Sequence, residues 1–434
     1  MKELCNTMVE DTQKLGATEC EACIEDTTET IITIERGSIH GKRKKRNITF
    51  GLRTLLDKKK GFVAGTLPVQ SLKDIEKTSL VIARNAAPDS NWKHLPYPKG
   101  VTPVKGIYDK KLAEITVEEL IEGSAIMLDT ADHPDITIDT GRVSCIVRTF
   151  FISNTHGISY EYRSTRLTVH FVVRSGESES TWGVHTSTVY DVDFAALAED
   201  AVERAKIMSS PQPLPSSFTG DVIFLGEPVE DILLTPLKWC VNAQTIKRTA
   251  FQTKINERVA SDLITVYDDG TRCGGIRSSP VDGEGNPTQK TDVITKGILS
   301  GLLHSEYTAN VCNTVSTGNA VRRAVTEPTV GVTNLILEGG KASIDELIAD
   351  VKKGIMMGDF SGNIDPFSGL FNGVMEHSFY IEKGEITHPV TGVMIHGNVF
   401  DCLMEVENIG KEQYRGEGGI CAVPILIRGL DIMI

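Results

Sequence analysis

Apolar residues at helical spacing predict helices at Glu3–Leu15, in "PVQSLKDIEKTSLVIARNA", in "TVEELIEGSAIMLDTADH" and in "AALAEDAVERAKIM". In the second of these Leu72, Ile75, Leu80 and Ile82 fall at helical intervals and Ser71 stands at the cap position. Between the helices apolar and polar positions alternate, as in half-buried strands. The segments "TECEACIED", "TETIITIERG" and "NITFGLRTLLD" read as three strands, the last returning through "KKKGFVAGT" after a charged turn. Three longer alternating segments follow: "RVSCIVRTFFISN", "GISYEYRSTRLTVHFVVRS" and "STWGVHTSTVYDVD". Their turns are expected at "NTHG" and "GESES".

The pattern breaks at "SSPQPLPSS", where Pro211, Pro213 and Pro215 forbid helix. A domain boundary is expected there, between 1–210 and 217–434. Beyond it come a strand, "DVIFLG", and a helix, "DILLTPLKWCVNAQTIKRT", running from Asp231 to Thr249. The remainder reads as strands and glycine turns around one further helix, "SIDELIADVKKG". Strands clustered with helices, without a regular βαβ rhythm, indicate an α+β fold of two domains.

Composition agrees with two folded domains and narrows the function. The chain has 434 residues, 40% hydrophobic and 24% charged. Its net charge of -13 argues against a general nucleic-acid binder, which needs a basic footprint. No apolar run has the length of a membrane span. The acidic, amphipathic start "MKELCNTMVEDTQKLG" lacks the features of a signal peptide, so a cytoplasmic location is expected. Nine cysteines fit that compartment as reduced thiols. Cys20 and Cys23 form a C-x-x-C pair, but on an alternating strand the two thiols need not share a face.

Few stretches offer chemistry. The run "GKRKKR", with Arg53 and Lys58–Lys60, reads either as a nucleic-acid patch or as the solvated face and turn of an edge hairpin. The second reading is preferred, because no aromatic platform accompanies the charges. The loop "VYDDGTRCGGIRSSPVDGEGNPTQKT" is rich in glycine and carboxylates but has no D-x-D-x-D-G calcium pattern. It covers a substrate or crosses between strands. In "NTVSTGNAVRRA", Ser316, Thr317, Gly318 and Asn319 form a short polar turn able to hold a peptide or an anion, or a plain turn. No nucleophile elbow, phosphate loop or paired-histidine helix is present.

The ordered set of segments resembles the TldD/PmbA family, also called the modulator-of-DNA-gyrase family. The resemblance is carried by "RNITFGLRTLLDKKKGFVAGT", "RTFFISNTHGISYEYRSTRLTVHFVVRSG", "GGIRSSPVDGEGNPTQKTDVITKGIL", "STGNAVRRA", "VGVTNLILEGG" and "HPVTGVMIHGN", and spans nearly the whole chain. It implies an N-terminal helix and antiparallel-sheet domain followed by a strand-rich C-terminal domain of the TldD/PmbA type. It also implies a dimeric zinc-dependent metallopeptidase acting on small or unfolded peptides. One branch of the family carries H-E-x-x-x-H on the first helix of its C-terminal domain, with a cysteine near the C-terminus as a further ligand. The PmbA/TldE-like branch lacks that motif.

Aligned on its preceding Leu-Leu pair, the motif falls on Thr235, Pro236 and Cys240. Threonine is a poor zinc ligand and proline carries no carboxylate to act as base. Cys421 lies near the C-terminal ligand region and is either a vestigial ligand or a small buried residue. The resemblance therefore implies a non-catalytic PmbA/TldE-type subunit without bound metal, paired with a zinc-bearing TldD-like paralogue. The alternative is a stand-alone homodimer that binds peptides or another macromolecule without proteolysis. Were zinc present in this chain, Cys240, Cys421 and His396 would be its first candidate ligands.

Overall fold

A computed structural model describes residues 1–176 and 180–434. The expected "GESES" turn lies largely at 177–179, outside the described residues. Helix α1 (Lys2–Lys14) leads into β1 (Glu19–Glu35), β2 (Ser38–Leu56) and β3 (Lys59–Thr66). Helices α2 (Leu72–Asn85), α3 (Lys110–Glu114) and α4 (Val117–Ala131) follow, then β4 (Ile136–Asn154), β5 (Ser159–Ser175), β6 (Thr181–Ser187) and α5 (Phe194–Ile207). Ser71 caps α2 by accepting from the Asp74 N–H, as its position predicts. Thr116 and Glu119 form a reciprocal cap on α4.

The six strands form one sheet in the order β3-β2-β1-β4-β5-β6. Two expectations are corrected here. The first two predicted strands are one continuous strand of 17 residues, because threonines rather than turn residues link them. The run Lys42–Arg46 forms the solvated edge of the hairpin but not its turn: it lies within β2, the β1–β2 turn is Arg36–Gly37, both at positive φ, and Lys58 sits in the β2–β3 turn. Only Thr49–Leu56 of β2 pairs with β3, so the basic half of the strand forms the sheet edge. Charges there oppose pairing with another chain. Arg46 also reaches Asp26 on β1 at 2.6 Å.

Alternation gives the sheet two different faces. Ala22, Ile24, Ile32 and Ile34 of β1 point to the face covered by α1, α2, α4 and α5. Glu21, Cys23, Glu25, Thr27 and Glu29 point the other way, toward the second half of the chain. Cys20 and Cys23 consequently lie on opposite faces, and the Cys23 thiol reaches the Ala324 carbonyl at 3.6 Å.

The second half holds a nine-stranded mixed sheet and a six-stranded sheet around the largest apolar core. The nine-stranded sheet is centred on Phe218–Phe224, which pairs in parallel with Lys353–Met357 and antiparallel with Ile425–Met433. The expected helix at "SIDELIADVKKG" is shorter than predicted. It spans Ile344–Ala349 behind a Ser343–Glu346 capping box, and Lys353 already begins a strand.

Four nearly fully buried charges join the halves. Arg53 of β2 donates to Glu21 at 2.9 Å and to Glu284 at 3.0 Å. Arg322 donates to the other Glu21 oxygen. The second Glu284 oxygen accepts from the Glu306 N–H at 2.9 Å. The approach requires Gly51, since a Cβ there would overlap the Ala324 carbonyl. Glu21→Gln leaves Arg322 buried without its counter-charge and should cost ~3–5 kcal/mol of unfolding free energy. Arg46→Gln, at the exposed pair with Asp26, should cost less than about 1 kcal/mol. Urea unfolding of the two variants checks this, and equal midpoints would refute it.

We place the domain boundary at residues 209–217, which are exposed apart from Pro211 and the buried Leu214. Limited proteolysis should cut there first. Preferred cuts inside α4 or α5 would overturn the division into 1–210 and 217–434.

Candidate functional site

The helix that carries Thr235 and Pro236 differs from its sequence expectation. It begins at Gly226, earlier than expected, and ends at Cys240 rather than Thr249. Asn242–Thr249 forms turns and a short 3-10 segment, with Asn242 Nδ2 donating to the Val330 carbonyl at 2.9 Å. Between Val229 and Leu234 the helix widens to a π-turn. Pro236 supplies the physical reason. It has no N–H to donate, and in a regular helix its ring would press on the carbonyl of Ile232. A wider turn before it relieves both.

Val229, Ile232, Leu233, Leu237 and Cys240 enter the apolar core. Burial pushes the Cys240 thiol up to about 12, with Thr249 partly opposing the shift. The thiol faces the apolar core rather than an open, solvent-reached position. Thr235 is half-buried and Pro236 is buried. Cys421 lies between Ile420 and Ala422, which face the same core as Cys240, so alternation turns its own thiol to the other side of that strand. His396 is exposed beside the buried Ile395. Among the described residues no group of three or more His, Cys, Asp or Glu side chains stands close enough to hold a metal. Thr235 offers a poor zinc ligand, Pro236 carries no carboxylate, and Cys240 faces the apolar core.

A cluster of carboxylates that sequence reading missed lies on the preceding turn. Glu227, Glu230 and Asp231 project from the helix, and Asp359 comes from the strand Asp359–Ile364. The spacing "EPVED" was legible as carboxylates on one helix face, but Asp359 depends on the fold. The cluster is closed by the Tyr414–Ala422 hairpin. Gly416 lies so close to Glu230 that a Cβ would overlap the carboxylate. Burial, then the neighbouring acids, raises Glu227 to about 7. Burial and Asp231 raise Glu230 to about 7, against Lys238 and Arg277. Asp359 rises to about 7 through burial and Glu227.

The polar turn Ser316–Asn319 is placed inward. Thr317 accepts from the His304 N–H at 2.7 Å and donates to Asn319 at 2.6 Å. Asn319 donates to Asp268 at 2.6 Å and to the Gly331 carbonyl at 3.1 Å. Asp268, raised to about 6 by burial, also accepts from both the N–H and the hydroxyl of Thr333. Gly318 takes a positive φ of 73° against the Pro287 carbonyl. These four residues knot three loops together. The neighbouring cavity is lined by the residues just after them, Ala320–Arg323.

The sequence from 217 to 433 matches the PmbA/TldA metallopeptidase C-terminal domain, and 110–209 matches the central domain of the same family. The chain belongs to the PmbA/TldD metallopeptidase family. It is 24% identical over 419 residues to metalloprotease PmbA of Escherichia coli O157:H7, covering 90% of this chain and 87% of that protein. A TldD homologue from Haemophilus influenzae, termed a metalloprotease, is 30% identical over 237 residues, 53% of this chain and 49% of its own length. The crystal structure of TldE from Thermococcus kodakarensis superposes with a TM-score of 0.91 at 20% identity, covering 99% of both chains. That likeness establishes the α+β fold. TldD-like paralogues thus stand among the relatives of this chain.

The carboxylate cluster generates a pH expectation. In the folded family member these groups keep their protons up to about pH 7, while in the unfolded chain they release them at ordinary carboxylate pH. Their stabilising contribution is complete below that ordinary range and is lost as pH rises to about 7. Unfolding free energy should therefore fall between about pH 4 and 7, and the fall should be smaller in Glu227→Gln/Glu230→Gln. Parallel pH profiles for wild type and double variant would contradict it.

Proposed function

We propose that this chain is a non-catalytic PmbA/TldE-type subunit of a zinc-dependent peptidase, paired with a metal-bearing TldD-like paralogue. The observation that carries the reading is Thr235–Pro236 with Cys240 on a core-facing helix. A hydrolytic zinc site needs three protein ligands, an open position and a base. Here the first ligand position holds a hydroxyl, the base position has no ionisable group, and the last position holds a thiol that faces the apolar core. In this reading the helix keeps its packing role, and the metal, the activated water and the general base come from the partner. The chain contributes peptide-contacting surface, with Ser316–Asn319 near the face offered to that partner, and works in the cytoplasm. Among the described residues no helix is long and apolar enough to cross a membrane.

A second reading, a stand-alone homodimeric peptide-binding protein, is favoured by one feature: a sizeable cavity is complete within a single chain. Co-expression with an H-E-x-x-x-H paralogue separates the two. The first reading expects a heterodimer by native mass measurement and peptide cleavage that a chelator abolishes. Elemental analysis of this chain alone should give no stoichiometric zinc, and the chain alone should cleave no peptide. Zinc near one equivalent, with chelator-sensitive cleavage by the isolated chain, would overturn the non-catalytic assignment. Exclusive self-association in the presence of the paralogue would favour the second reading.

A further inference from the structure

A cavity of about 620 Å³ separates the two halves of the chain, within the range of small-molecule and peptide sites. Its floor is a patch on the outward face of the N-terminal sheet. The strand registers place Thr27 beside Asn47 and Arg148, and Ile146 beside Arg166, so four strands contribute neighbouring side chains. Its roof is made by the segments 275–283 and 320–325 of the second half. Phe150, Val281 and Val332 add apolar surface, and hydroxyls such as Ser164 and Thr333 add hydrogen-bonding capacity.

The charges around this space do not balance locally. Glu25 is held by Arg148 at 3.0 Å. Glu29 pairs with Arg142 at 3.4 Å and Arg43 at 3.7 Å. Asp282 accepts from the N–H groups of Glu284 and Asn286 at 2.9 Å and of Ala320 at 3.1 Å. Arg322 is committed to Glu21. Lys45 and Arg323 also line the space and form no ion pair among the described residues, and the remaining two cations are Arg166 and Arg277. Among the described residues neither forms an ion pair, and Arg166 makes a side-chain hydrogen bond only to the Ile276 carbonyl, at 3.1 Å. Burial lowers the pKa of both, and for Arg166 the nearby Arg277 and Arg148 lower it further. Arg166 faces the cavity from the sheet floor and Arg277 from the loop roof, and Glu417 acts on the first, and Asp268 and Glu230 on the second, only from beyond ion-pair distance.

We propose that Arg166 and Arg277 bind a carboxylate of a short peptide that lies in this cavity. Two forked donors match a carboxylate's two oxygens, and cations beside apolar and hydroxyl-bearing walls suit the end of a peptide better than an inorganic anion. The proposal does not rest on the pairing with a metal-bearing partner, because floor and roof both belong to this chain.

Titration of the isolated full-length chain with fluorescently labelled tetrapeptides of neutral side chains tests it. The free-acid peptide should bind at least about tenfold more tightly than its C-terminal amide, the effect expected from hydrogen bonds to a charged group. Arg277→Gln, at a side chain that makes no ion pair or side-chain hydrogen bond among the described residues, should remove the difference, and Arg166→Gln should do the same. An amidated peptide carrying one internal aspartate distinguishes a side-chain carboxylate from a terminal one: tight binding of either acid supports the proposal, and the tighter identifies the source. Inorganic phosphate at the same concentration should not compete. Failure of both the free-acid and the aspartate-bearing peptide to bind more tightly than the neutral amide, no binding of any of these peptides, efficient competition by phosphate, or unchanged acid preference in Arg277→Gln would each overturn it. Because no partner or cleavage is involved, this outcome is independent of whether the subunit assignment holds.

Discussion

Glu21, Arg53, Arg322 and Glu284 alternate in sign and are almost wholly withdrawn from water, and the position of one half of the chain on the other depends on them. Charges in such a setting stabilise little by themselves, because desolvation offsets most of their attraction. Their effect is on geometry. A small rotation of either half would leave a buried carboxylate or guanidinium without its partner, which costs far more than an apolar mismatch. Gly51 permits the close approach, and Glu284 is oriented in turn by the Glu306 N–H. The floor and roof of the interdomain cavity therefore keep a fixed spacing, set by residues that do not line its centre.

The helix at Gly226–Cys240 carries Thr235 and Pro236 and packs an apolar face into the core. Its apolar face is complete, and Cys240 fills a core position where a metal ligand would have to remain half-open to solvent. Pro236 goes further than removing a carboxylate. It coincides with a widened turn upstream that holds Glu230 and Asp231, half-buried beside Glu227 and the buried Asp359. Acidic chemistry remains in this region, but as protonated carboxyls under a hairpin rather than as ligands around an ion.

What could be read from the sequence was what depends on local pattern. Ser71 announced a helix start through capping chemistry, and alternation announced the long strands. The α+β class and the family followed from the order of such segments. The two predicted strands that proved to be one were separated by threonines, which favour strand over turn, so the error lay in reading a pause in apolar content as a break. The basic run was read as the solvated face and turn of an edge hairpin, and the exposed edge holds while Lys42–Arg46 lies in strand rather than turn, because charge marks exposure and not the turn itself. The arginines of the cavity were beyond reach. Arg148 and Arg166 become neighbours only through a register between β4 and β5, and Arg277 joins them only when distant loops fold over that face.

The cavity's divided ownership has a thermodynamic consequence. A molecule that touches both the sheet floor and the loop roof is a non-covalent cross-link between segments more than a hundred residues apart in sequence, such as Arg148 and Arg322. It binds the docked arrangement and has no comparable site once the halves separate. By mass action its free concentration then adds to the free energy of keeping them together, logarithmically and without any change in the contacts of the empty protein. Occupancy and cohesion become two readings of one equilibrium.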